Sequence, residues 1–347
     1  QKMDKQEEIY TQAMQYLDDA IADLQKEDLI DPEAQDLLYQ GDAEKWLKLA
    51  YGLKARYTMH LLKRSANKDA DMEKVLEYVN NSFESAEEQA AFDVYDANNI
   101  NPLYGFFVAR AGLGASESMR SKLAEYNDPR LSRAFITKQG TSGKEQAPGT
   151  ADNAVYAPNG TPEQGTSKYG TSLFMYSISA PTLLLSYHEL KFLEAEALCR
   201  LERDAKSALK DAVVAGLLNA ENSFTISRKE LGKTLINAAS SITEAEAESY
   251  FDNTIEAKYT AEPLKTTMTQ KYFALWGASG EATESYNDVR RMKGLGENFI
   301  ELKNPNSFPL RCPYGNSDTT TNAEVKAAYG NGQYVYSENV WWAGGSR

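Results

Sequence analysis

The sequence predicts a mainly α protein whose helices come in pairs around one long irregular segment. Apolar residues recur at three- and four-residue steps over most of the chain, the spacing of one helical face. Turn residues such as Asp31-Pro32, Gly41-Asp42, Gly277 and Gly280 separate the periodic stretches. Six glycines among Ser, Thr, Asn and Pro gather in 139–171, which has no period at all.

Taken in order, 5–26 is a helix with Ile9, Ala13, Tyr16, Leu17, Ala20, Ile21 and Leu24 on one face. A second helix, 43–64, buries Trp46, Leu49, Ala50, Leu53, Tyr57 and Leu61 and forms a hairpin with the first. A third spans 71–83, after which the period is lost and the chain reads as loop with a short extended piece. Asn127-Asp128-Pro129-Arg130 reads as a turn whose arginine closes a salt bridge. Helix returns at 183–201, paired with 205–221, and continues at 227–239 and 243–259, where Thr243 and Glu246 have capping-box spacing. Pro263 suits the first position of a helix that buries Met268, Tyr272, Leu275 and Trp276 and stops at Gly277 and Gly280. Glu281 opens another, closed by Gly294, with Arg290 and Arg291 near its end to meet free carbonyls or a neighbouring carboxylate. The polar tail ends in Val340-Trp341-Trp342, expected to dock on the core.

Composition narrows the function. At 347 residues, 42% hydrophobic and 25% charged, the chain is ordinary for a globular protein, and its net charge of -13 argues against a nucleic-acid partner. The stock of 21 Tyr, 12 Phe and 4 Trp suits stacking on sugars or peptides as well as packing. No apolar run is long enough to cross a bilayer, and Gln1 begins no signal peptide. Cys199 and Cys312 lie far apart without metal spacing; they read as two unpaired thiols, with a disulfide as the alternative.

Catalytic, metal and cofactor signals are weak enough that none is expected. His60 and His188 sit inside helices with no nucleophile to serve. Gly112-Leu113-Gly114 lacks the rest of a dinucleotide loop. Asp93, Asp96, Asn98 and Asn99 lack the glycine and closing Glu of a calcium loop, and acid pairs such as Glu194 and Glu196 read as helix surface rather than a glycosidase dyad. Binding fares better. Tyr156 and Tyr169, in the irregular segment, are candidate ligand-stacking residues; the alternative is that they pack the loop onto the body.

Several pieces in one order carry a resemblance: Gln-Lys-Tyr, Ala-Leu-Trp-Gly, an acidic-aromatic helix, Asp-Val-Arg-Arg, Phe-Pro-Leu-Arg, Pro-Tyr and a terminal Asn within 263–322. They resemble the SusD/RagB-like proteins, surface lipoproteins of nutrient uptake in Bacteroidota. The stretch DLIDPEAQDLLYQGDAEKWLKLAYGLKARYTMHLLKR resembles that family's tetratricopeptide-like pair, and Pro181, Tyr187, Glu189 and Ala195-Glu196-Ala197 resemble a later helix. The resemblance implies one SusD-like domain over 1–347, lacking the family's N-terminal region. Within it lie tetratricopeptide-like helices (5–83), a loop-rich part (84–180), helical repeats (181–294) and a C-terminal loop and tail (295–347). It further implies a non-enzymatic, lipid-anchored outer-membrane protein on the extracellular face, binding a glycan or peptide oligomer for a TonB-dependent, SusC-like transporter. Family members build their ligand site from irregular loops, where Tyr156 and Tyr169 fall. A helical-repeat adaptor and a carbohydrate-active enzyme are the alternative classes.

Overall fold

The structure, a computed structural model, describes residues 2–26, 33–110, 114–136, 155–160, 169–232, 240–277, 280–304 and 306–346. Among the described residues it is mainly helical, with short strand pairs; one joins β2 (Phe135–Ile136), which follows helices α5 (Glu117–Glu125) and α6 (Arg130–Arg133), to β3 (Thr171–Ser172). Helices α1 (Gln6–Leu24), α2 (Ala43–His60) and α3 (Lys68–Asn80) pack in sequence order, and α3 also lies against α7 (Tyr187–Arg200). Side-chain caps fix two of these starts, since Asp42 accepts the Lys45 N–H and Asn67 accepts that of Ala70. The Asn67 cap sets α3 three residues earlier than the spacing predicted. Along α1 the expected apolar stripe is only partly covered: the helix has no buried residue, and Ile9 and Tyr16 are exposed, because α2 is its one long neighbour.

At the centre, α7 touches α2, α3, α8 (Lys206–Leu231) and α11 (Pro263–Ala274). A helix surrounded in this way is apolar on several sides, and Leu190, Phe192, Leu193, Ala195 and Ala197 are all buried. The expected helix start at 183 is corrected here. Residues Thr182–Leu185 form β4, which pairs antiparallel with β1 (Ala90–Phe92), and the helix begins only where the Ser186 hydroxyl caps the Glu189 N–H. Three Leu in a row serve a strand as well as a helix, and Ser186 decides between them.

Two further boundaries differ from expectation. The separate helices expected at 205–221 and 227–239 are one helix, α8; residues 233–239 fall outside the described part. The polar stretch Glu221-Asn222-Ser223 does not break it, because Glu221 pairs with Arg133 and the Ser223 carbonyl accepts the Ser177 and Ser227 hydroxyls. The helix expected at 243–259 keeps its Thr243–Glu246 capping box but is interrupted: α9 (Glu244–Tyr250) passes through a π turn, Phe251–Ile255, into α10 (Glu256–Ala261). Phe251 and Ile255, at the two ends of this turn, are both in the core. Helix α4 (Pro102–Arg110) lies in a stretch expected to be loop; the Asn101 side chain accepts the Leu103 N–H ahead of Pro102.

Pro263 opens α11, and the chain then turns through Gly277 and Gly280, with φ of 77° and 93°. Helix α12 (Ala282–Leu295) follows and ends at Gly296 in the left-handed region, two residues beyond the expected stop at Gly294. The tail docks as expected: Trp342 is buried and stacks on His60 at 5.6 Å, while Arg64 donates to the Trp341 carbonyl at 2.7 Å. Cys199 and Cys312 are free thiols. No helix among the described residues is long and apolar enough to cross a membrane.

Candidate functional site

A chain of buried charges holds the helices in place. Arg56 of α2 donates to Glu189 of α7 at 3.0 Å and to the Leu184 carbonyl at 2.8 Å. Glu281, at the start of α12, accepts the Ser186 N–H and closes on the same arginine. Two turns further along α7, Glu196 accepts from Arg291 at 2.8 Å; Arg291 also donates to Asp288 at 2.7 Å, and Lys271 reaches Asp288 at 2.8 Å. Burial penalises each of these charges, yet the arginines outweigh it and hold Glu189 and Glu196 below the usual carboxylate range. Glu281 goes the other way: burial, then the Glu189 charge, pushes its carboxyl well above that range, so it keeps a proton. The expected roles of Arg290 and Arg291 therefore separate. Arg291 binds carboxylates, whereas Arg290 lies between the Tyr286 and Trp342 rings at 4.1 and 5.0 Å and donates to Asn287.

Both histidines belong to this scaffold. His60 bonds Glu284 at 2.6 Å and Tyr10 at 3.1 Å. His188 is 1% exposed, and burial pushes its imidazole down to about 4, which leaves it neutral at pH 7. The expected Asp128–Arg130 turn is a buried ion pair, with bonds of 2.8 and 2.6 Å. Asp96 caps its own loop by accepting the Asn98 and Asn99 N–H groups at 2.7 Å. Residues 111–113, part of the Gly-Leu-Gly stretch, fall outside the described residues.

Beside α7 lies a cleft of about 490 Å³, within the size range of ligand sites. One wall is a face of α8 carrying Asp211, Val214, Leu218 and Asn222 at helical spacing, and the others are the 84–89 turn, the start of α7 and α9. Amides from Gln89, Asn219 and Asn222 stand beside apolar Val214 and Leu218, with the Tyr187 ring at the edge. That mixture suits a sugar, whose hydroxyls need donors and acceptors while its C–H faces need apolar contact. Sequence reading missed these residues because the walls facing α8, the 84–89 turn, the start of α7 and α9, come from segments far apart along the chain. The i, i+3 pair Asn219 and Asn222 on the face that carries Val214 and Leu218 was the available signal.

Tyr156 and Tyr169 lie elsewhere, and their backbone segments are brought together. Ala157 exchanges bonds with Ala115 and Glu117 at 2.8 and 3.0 Å, and Gly170 bonds Val155 at 3.0 Å and Ala115 at 2.8 Å. Tyr156 is half-buried, edge-on to Phe135 at 5.3 Å with the Arg120 guanidinium 5.6 Å from its ring. Tyr169 is 3% exposed and so supports this ribbon from within. Residues 137–154 and 161–168 of the irregular segment fall outside the described part.

With the fold and cleft defined, comparison with known proteins places the chain. A family model described as SusD-like, starch-binding and associating with the outer membrane matches residues 1–314. This chain therefore belongs to the SusD/RagB-like family. A SusD/RagB family protein of Bacteroides thetaiotaomicron is 66% identical over 100% of this chain and 74% of its own, with a TM-score of 0.96. A chitin-binding protein shares the fold at 20% identity and TM-score 0.71, over 99% of this chain and 74% of its own. An outer-membrane protein of Bacteroides vulgatus, whose description suggests nutrient binding, does so at 20% identity and TM-score 0.74, over 98% of this chain and 76% of its own. No curated protein matches the chain.

Proposed function

We propose that this protein is a cell-surface, lipid-anchored binding protein that captures oligosaccharides, or oligopeptides, and hands them to a TonB-dependent outer-membrane transporter without chemical change. The observation that carries this reading is membership of a family described as starch-binding and outer-membrane-associating, matched over 1–314. The cleft beside α8 is the proposed seat of cargo, with amides for hydroxyl groups and Val214 and Leu218 for C–H faces. Tyr156 is proposed as a second contact through the exposed part of its ring, with Tyr169 fixing its position. Cargo bound between the protein and its transporter would favour the closed lid and commit the complex to import.

The test is purification from the native membrane, followed by mass spectrometry of co-purifying proteins and released ligands. Recovery of a TonB-dependent barrel together with an oligosaccharide or peptide is the expected result and would name the cargo class. Recovery without a barrel would overturn the transporter role in favour of an adaptor, and hydrolysis of a glycan panel by the pure protein would overturn the non-enzymatic reading.

A further inference from the structure

Five arginines are buried among the described residues, and four of them hold a carboxylate: Arg56 with Glu189, Arg130 with Asp128, Arg133 with Glu221, and Arg291 with Glu196. Arg311 is the fifth and departs from this pattern. It is 7% exposed, its Nη2 donates to the Tyr314 hydroxyl at 2.7 Å, and its Nε and Nη1 have no hydrogen-bond partner. A desolvated guanidinium with two nitrogens unbonded and no carboxylate beside it is costly, and buried cations are ordinarily paired.

Arg311 also lines a groove of about 370 Å³ between the start of α1 and the C-terminal loop. Ile9 and Tyr10 of α1 form one side. On the other, Tyr314 and Tyr329 stack at 4.3 Å, with the Arg311 guanidinium 4.8 Å from the Tyr314 ring. Asp4 is the one carboxylate on the lining. The groove thus offers an uncompensated cation beside a flat aromatic platform, in a protein of net charge -13.

We propose that this groove binds a carboxylate-bearing ligand. The carboxylate accepts from Nη1, which has no partner, and from Nη2 in place of the Tyr314 hydroxyl, and neutralises the guanidinium, while the ligand body lies against Ile9, Tyr10 and the Tyr314–Tyr329 pair. Arginine is suited to this task by its planar donors and permanent charge. The carboxylate can belong to a uronic acid or to a peptide. This site shares no lining residue with the cleft beside α8, and it does not depend on the import reading.

Calorimetric titration of the full chain with trigalacturonate, triglutamate and neutral maltotriose tests it. A carboxylate probe is expected to bind, and whichever of the two binds names the source. Arg311→Gln should weaken that binding by about tenfold or more. Asp4→Asn, at an exposed position, should tighten it by about two- to fivefold through loss of a like charge. Absence of binding by either carboxylate probe at millimolar concentration would overturn the proposal. So would unchanged carboxylate affinity in a folded Arg311→Gln protein. Should that variant fail to fold, Asp4→Asn and Tyr329→Ala decide: carboxylate binding unchanged by both also overturns it.

Discussion

Glu189 and Glu281 are two carboxyls of one buried group, yet they carry their protons differently. Arg56 holds Glu189 ionised, with stability that is present above the unfolded-state value and lost as pH falls through the folded one. Glu281, raised by burial and by Glu189, contributes the opposite sign: its stability is present below the unfolded-state value and lost as pH rises through the folded one. Glu281→Gln copies the protonated form and can still accept the Ser186 N–H. It should therefore change stability by less than about 1 kcal/mol near pH 6 and remove part of the loss on the alkaline side. Glu189→Gln leaves Arg56 buried without its counter-charge and should cost about 3 kcal/mol or more. Urea unfolding of both variants from pH 5 to 9 checks this; equal costs would mean that the two carboxyls are equivalent. The charged residues of this group were visible in the sequence, Arg291 included, but their partners come from segments far apart along the chain, and no local pattern specifies them.

Among the elements, the turn between α11 and α12 tolerates little change at its first glycine. Gly277 combines a φ of 77° with close approach to Phe174, whose ring a Cβ would overlap. Gly277→Ala should destabilise by about 2–4 kcal/mol, from the left-handed backbone and overpacking together. A thermal melt within a degree of the parent would contradict that packing. This turn was legible beforehand, as were the Thr243 capping box and Pro263, because caps and glycines are local signals. The β1–β4 pair and the continuity of α8 were not. Leu183 to Leu185 have no period that separates strand from helix, and Glu221 looked like part of a break until Arg133 was placed beside it. The cleft was not legible either, since most of its α8 lining falls within the expected helix but the walls opposite come from distant segments.

At the scale of the whole molecule, the buried charges join α2, α7, α11 and α12, while α1 buries no residue of its own and meets them only at its edge, through Tyr10 on His60 and Asp18 on Lys54. Hydrogen exchange read by mass spectrometry should therefore show α1 amides exchanging well before those of α7 and α8. Protection of α1 equal to that of α7 would mean that Ile9 and Tyr16 are covered in solution. The family was legible in the sequence through motif order, whereas the candidate site was legible only as aromatic residues in an irregular segment. The thiols have a practical consequence on this scale. Cys199 is half-buried, with its sulfur 3.6 Å from the Thr267 hydroxyl, and burial raises its pKa. Cys312 is exposed and directly follows Arg311. A maleimide dye should therefore select one position on the native chain, placing a fluorescent reporter beside the arginine groove without any change of sequence.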